Sequence, residues 1–148
     1  TYISKDDLEK GIDIVDKYKV ITGKVNPDRG GVNNSNSSNV INKPRILAPN
    51  QICTFSYLIV GATINEYCAN ALYKYIKTKF TRFLILVTLA SMNISARNFM
   101  FVPLQDFTSS SDIDWSQSIS NIDQQLYKKY NLSDEEIAYI ESTIKPME

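Results

Sequence analysis

Asn65–Ala90, NEYCANALYKYIKTKFTRFLILVTLA, decides how the rest of the chain is read. Ala69, Leu72, Ile76, Phe80, Phe83 and Val87 recur at steps of three and four residues and form one apolar stripe on a helix. The spacing predicts a single long helix over 65–90, with Lys74, Lys77 and Arg82 on the opposite face. Its second half, Phe83–Leu89, is apolar almost all round and is expected to be deeply buried. The longest apolar run, Phe83–Ala90, is interrupted by Thr88 and is far too short to span a bilayer.

On the N-terminal side, Lys17–Val25 (KYKVITGKV) alternates and is β-branched, which predicts a strand. Tyr18, Val20 and Thr22 share one of its faces; Lys17, Lys19 and Ile21 share the other. Arg45–Leu47 and Cys53–Val60 read as further strands across the turn Ala48-Pro49-Asn50, and Phe99–Val102 as a last strand ended by Pro103. Ser4 and Asp7 mark a short helix start, with Ile3 and Leu8 as its staple and Gly11 as its stop. Asn26–Asn42 holds Pro27, Gly30, Gly31 and the run NNSNSSN at 33–39, too polar to build a core, so a mobile loop is expected there. On the C-terminal side, Ile119, Ile122, Leu126 and Tyr130 make a helical stripe. Ser133 and Glu136 then form a capping box inside a Leu132/Ile137 staple, and a helix runs on to Pro146. The expected fold class is α/β (α+β): a mixed or antiparallel sheet of about four or five strands on the long central helix, with C-terminal helices at one end.

The 148 residues, 43% of them apolar, are enough for one domain with a real core. The first residue is Thr1 rather than Met, so a piece of something larger is expected. No secretory signal opens it, which points to a cytoplasmic location. Cys53 and Cys68 have neither metal nor redox spacing and read as small buried thiols. There is no histidine, which removes the commonest general base, the commonest metal ligand and every Ser-His or Cys-His nucleophile. Net charge is zero but unevenly spread: −3 over residues 1–16, +9 over 17–104, where Asp28 and Glu66 are the only acids, and −6 over 105–148. Two explanations stand side by side. Either the basic middle faces an anionic partner, or the acidic helical segment 105–148 folds back and neutralises it.

Catalytic motifs are missing. Adenine-N6 methylation uses Asn/Asp-Pro-Pro-aromatic, whereas the only Asn-Pro, Asn26-Pro27, continues as Asp28-Arg29. Gly30-Gly31 stands alone without a phosphate-loop pattern, and the acids at 134–136 have the positions of a helix cap. No active site is expected in this chain, so it is not read as an enzyme by itself.

Three stretches carry a likeness to a known group: Ile12–Lys24 (IDIVDKYKVITGK); Lys77–Phe83 (KTKFTRF) behind the strand TFSYLIVG; and Phe101–Phe107 (FVPLQDF) followed by Leu126–Met147 (LYKKYNLSDEEIAYIESTIKPM). Together they resemble the C-terminal, TaqI-like specificity region of bacterial adenine-specific restriction–modification methylase polypeptides. The likeness covers most of the chain apart from residues 26–42 and 108–121. It implies a target-recognition domain that reads double-stranded DNA while a methylase domain elsewhere in the parent flips out an adenine. It also implies S-adenosylmethionine in that methylase domain and no cofactor in this chain. The implied partners are the DNA and the parent's methylase, nuclease or helicase parts, with no membrane.

Such a task needs basic side chains on phosphates and Arg, Lys, Asn or Gln at base edges. The candidates are Lys19 and Lys24 flanking the first strand; Arg29, Lys43 and Arg45 bracketing the loop, with amides from Asn33–Asn39; Lys74, Lys77 and Arg82 on the helix; and Arg97-Asn98 in SMNISARN. Helix-face cations opposite an apolar stripe are ordinarily just solvated, and polar loops are ordinarily just connections. Most of the aromatic residues suit core packing, and Trp115 is expected to anchor its acidic segment onto the core. A docking module that joins the methylase to nuclease or helicase parts through its acidic helices is the competing interpretation.

Overall fold

A computed structural model describes residues 4–28 and 37–148. Its sheet has three antiparallel strands, β1 (Tyr18–Gly23), β2 (Arg45–Leu47) and β3 (Tyr57–Thr63), in the order β2-β1-β3. Four α-helices follow: α1 (Glu66–Lys77), α2 (Lys79–Leu86), α3 (Ile119–Lys129) and α4 (Asp134–Thr143). The α/β class holds, and the sheet is smaller than expected. β1 is central because both of its edges are paired, Val20 with Ile46 on one side and with Gly61 on the other. Val20 points into the core with Ala71, Leu72 and Ile76 of α1. Gly61 lets β3 approach that helix, since a Cβ there would lie 2.7 Å from a Leu72 methyl.

Two expected strands differ. The third begins at Tyr57 rather than Cys53 and runs on to Thr63. Phe99–Val102 is not a strand: Ala96–Phe99 forms a 3-10 turn, with the Asn98 side chain accepting from the Ser95 amide at 2.9 Å. That cap consumes the backbone groups a strand would have offered to a neighbour. At the N-terminus the expected helix is a single 3-10 turn, Lys5–Asp7, capped by Ser4; Gly11 takes φ +77°, the left-handed region that suits glycine. Ile3 lies outside the described residues.

The long helix over 65–90 is broken. Thr78 is extended (φ −59°, ψ 149°), ends α1 and caps α2. Its hydroxyl donates to the Tyr75 carbonyl at 2.6 Å and accepts from the Thr81 amide at 3.2 Å, serving both helix ends. Asp123 of α3 completes the break by accepting from the Lys79 and Phe80 amides. α2 stops at Leu86, and of the stretch Phe83–Leu89 expected to be deeply buried Ile85 alone is so, while Val87 is exposed and the others are half-buried.

The stretch expected to be a mobile loop is pinned at both ends. Asp28 is buried, and one of its carboxylate oxygens accepts from the Ser38 hydroxyl at 2.6 Å and the Asn39 and Val40 amides at 2.8 and 3.0 Å. Val40 and Ile41 then enter the core. Composition alone hides this because one buried anion gathers three donors from eleven or so residues away. Residues 29–36 lie outside the described residues, and with them Arg29 and most of the Asn-rich run.

The C-terminal segment follows its local signals. Ser133 and Glu136 form the reciprocal capping box, and Leu132 and Ile137 pack against the core beside it. Ser133→Ala is expected to cost about 1 kcal/mol in urea unfolding; a change below about 0.3 kcal/mol would show that the cap is redundant. Trp115 is buried among Tyr75 and Phe107, and its indole N–H reaches the Asp106 carbonyl at 2.8 Å, so the acidic segment is anchored as expected. Among the described residues no helix is long and apolar enough to cross a membrane.

Candidate functional site

Four of the residues expected at a DNA surface, Lys19, Lys77, Arg82 and Asn98, are interior, and three of them, Lys19, Asn98 and Arg82, are held by backbone carbonyls. The Lys19 ammonium is enclosed by the carbonyls of Ile14, Val15 and Lys17 at 3.2, 2.9 and 2.6 Å. Burial lowers its pKa, partly offset by Asp16. Asn98 donates to the Thr88 carbonyl at 3.0 Å while capping its own turn. Arg82 is 0% exposed. Its Nε donates to the Lys77 and Thr78 carbonyls at 3.0 and 3.3 Å, and its two terminal nitrogens to Asn39 at 3.3 Å and Lys145 at 2.6 Å. Burial brings this guanidinium down to about 10, with Asp123 opposing, so it remains charged at neutral pH. All three spend their donors on backbone carbonyls at chain ends and turns, several of which, Ile14, Val15, Thr78 and Asn39 among them, also accept a backbone amide.

Lys74, Lys77 and Arg82 nonetheless meet, as the helical spacing suggests, and they meet at a cleft of about 570 Å³ instead of a solvated face. Its walls come from the end of α1, the start of α2, the start of α3 and the segment Pro146–Glu148. Lys74 donates to three successive carbonyls, Trp115, Ser116 and Gln117, at 2.9–3.1 Å, and so ties α1 to the turn before α3. Lys79 pairs with Glu141. Lys77 differs: it is 4% exposed, and among the described residues its ammonium reaches the Tyr73 hydroxyl at 3.5 Å, with the Tyr73 ring centroid 4.8 Å away. Burial lowers its pKa, and Lys43 and Arg82 lower it further against a pull from Glu148. Lys43 therefore lies close enough to be felt at the cleft.

Ser118, Ser120, Asp123 and Glu141 also line this space and were not candidates. They belong to the acidic segment, and only the N-cap position of Ser118 was a readable signal. Asp123 is buried beneath α2, and burial pushes its carboxyl up to about 6 against the two N–H donors that pull it down.

No family model, curated protein or solved structure matches this chain.

Four other candidates, Lys24, Lys43, Arg45 and Arg97, are at the surface. Lys43 and Arg45 are exposed at and just before edge strand β2, and Arg97 is exposed on the 3-10 turn. Lys24 is half-buried, with its ammonium 3.5 Å from the ring centroid of Phe55, itself 89% exposed. The ion pairs among the described residues are Lys79–Glu141 and Lys129–Asp112, so none of these four cations has a carboxylate within 4.0 Å there. The acidic segment does fold back, through Asp123 and Glu141, but it neutralises the start of α2 rather than this outer set.

Proposed function

We propose that this chain is a DNA-facing target-recognition module of an adenine-specific restriction–modification polypeptide, acting in the cytoplasm and holding duplex DNA for a methylase domain outside it. S-adenosylmethionine would bind in that methylase domain, and this chain supplies no catalytic group of its own. The observation that carries the reading is the set of surface cations Lys24, Lys43, Arg45 and Arg97, which the acidic segment leaves unpaired among the described residues. Unpaired, partly solvated cations are what phosphate contacts require. The outer edges of β2 and β3 have no strand partner among the described residues, which leaves room for the parent to extend the sheet toward the four or five strands that the sequence suggests.

Fluorescence anisotropy with a random duplex tests this reading. With roughly four phosphate contacts, affinity is expected to fall about a hundredfold between 50 and 200 mM salt. Lys43→Ala with Arg45→Ala is expected to weaken binding to all sequences alike and to shrink the salt slope by about two contacts' worth. Salt-insensitive binding would count against phosphate contacts. It would favour the second reading, docking onto the methylase, nuclease or helicase parts of the same system. That alternative has its own observation: Met100, Phe101 and Leu104 are exposed close together along the chain, Leu104 at 92%.

A further inference from the structure

Phe55 is 89% exposed. A single apolar side chain in water is ordinary, but this one stands on a built corner. The Tyr57 amide donates to the Thr54 carbonyl at 3.1 Å and closes a tight turn; the Lys24 amide donates to the Ser56 carbonyl at 3.0 Å and ties that turn to the end of β1. Such corners ordinarily go to Gly, Pro, Asn, Asp or Ser. The Lys24 ammonium lies over the ring, 3.5 Å from its centroid, so a positive charge accompanies the aromatic group. Among the described residues Phe55 is the exposed apolar side chain with an ammonium seated on it. From Gln51 to Asn65 the chain has no charge of its own.

The complementary feature lies between α2 and α4. A cleft of about 360 Å³, large enough for a bulky group, is lined by Phe83 and Leu84 of α2 and by Leu132, Glu136, Tyr139 and Ile140 at α4. Phe83 and Tyr139 meet edge to face at 5.8 Å, and Tyr139 remains 62% exposed on the rim. Glu136 is the one charged residue of this wall among the described residues. One of its oxygens accepts from the Ser133 amide at 2.7 Å. The ion pairs among the described residues are Lys79–Glu141 and Lys129–Asp112, so no cation there lies within 4.0 Å of it. Asp134 and Glu135 stand exposed in the same first turn. The helix start accounts for acids at these positions, but not for the aromatic cleft they border. A duplex or an anionic surface is repelled here, whereas an apolar group that brings a cation is matched.

We propose that the Thr54–Tyr57 corner of one copy of this chain seats Phe55 in the α2–α4 cleft of a second copy, with Lys24 against Glu136. Two copies can exchange the contact reciprocally and close as a dimer, or pass it on head to tail. The contact goes beyond the duplex-reading role: it takes up Lys24 and leaves Lys43, Arg45 and Arg97 for phosphates.

Sedimentation equilibrium of the whole chain without DNA, from micromolar to millimolar concentration, reads the contact. The average mass is expected to rise with concentration. Phe55→Ser changes an exposed position and is expected to weaken association about tenfold or more. Lys24→Glu and Glu136→Lys each set like charges against one another, so each alone is expected to stay monomeric where wild type associates. Mixed in equal amounts, they restore opposite charges at the contact and should recover most of the association. Glu136→Lys also loses its half of the capping box, but mixing cannot mend a folding defect, so recovery reports the interface; Phe55→Ser decides the matter if that variant folds poorly. A wild type that stays monomeric at millimolar concentration overturns the contact. So does association that Phe55→Ser leaves unchanged, as pairing through the outer edge of β3 would give. A mixture of folded variants no better than either alone overturns the match of Lys24 with Glu136. A chain that self-associates through Phe55 but binds no duplex refutes the recognition role and keeps this contact; duplex binding by a chain that stays monomeric refutes only the contact.

Discussion

Arg82→Ala is expected to lower the unfolding free energy by about 3–5 kcal/mol. The guanidinium is wholly buried and bonds to the carbonyls of Lys77, Thr78, Asn39 and Lys145. Its removal leaves a cavity and takes a donor from four carbonyls; Thr78 and Asn39 keep the Arg82 and Ile41 amides, and each acceptor left unsatisfied costs about 1–3 kcal/mol. The damage should also be directional. Asn39 and Lys145 belong to two segments joined next to each other by the Ser38 amide donating to Thr143 and the Lys145 amide donating to Ser38. Those two amides are expected to exchange with deuterium much faster in the variant, while amides of β1 slow or hasten only with global stability. Arg82→Lys supplies one ammonium where a forked group spans four carbonyls, and should recover only part of the loss. A urea midpoint shift equivalent to less than about 1 kcal/mol for the alanine variant would refute the keystone role.

Asp123→Ala is expected to cost about 2–3 kcal/mol at pH 5, because the Lys79 and Phe80 amides lose their acceptor where the long helix breaks. The pH dependence has a definite sign. Burial, the largest influence, raises the Asp123 carboxyl from 3.8 to about 6; the Phe80 and Lys79 amides pull it down, Glu141 pushes it up and Arg82 pulls it down. A folded pKa above the unfolded one means that the native state holds more protons between about pH 4 and 6, so this group's contribution falls as pH rises through that window. Wild type is therefore expected to lose on the order of 1 kcal/mol of its margin over the variant between pH 5 and pH 7. Paired urea titrations at the two pH values measure it. A margin that widens toward pH 7 would mean that the two amides outweigh burial and hold the carboxyl below its ordinary range.

Local signals survived into the structure and long-range ones did not. The Ser133/Glu136 box and the β1 alternation depend on residues within a few positions of one another, and both are found where the sequence places them. The helix over 65–90 breaks at Thr78 because Asp123, more than forty residues on, satisfies the amides that the break exposes. Lys77 and Arg82 stand on two different helices, α1 and α2, and both line the cleft that the C-terminal segment helps to wall, so a periodicity read for one solvated helix face misjudged their surroundings. Lys19 and Asn98 failed as surface candidates for a related reason: nothing in a linear pattern tells which lysine or asparagine will be needed to satisfy a stranded carbonyl. The cleft needed the fold to appear, since its walls come from both the basic middle and the acidic end.

The Asp28 carboxylate, which holds Ser38, Asn39 and Val40, fixes the two feet of the intervening stretch against each other. Doubling the length of a segment whose ends are already held adds only about 0.6 kcal/mol of closure entropy. The exit and return of the backbone at this spot hang on a single carboxylate.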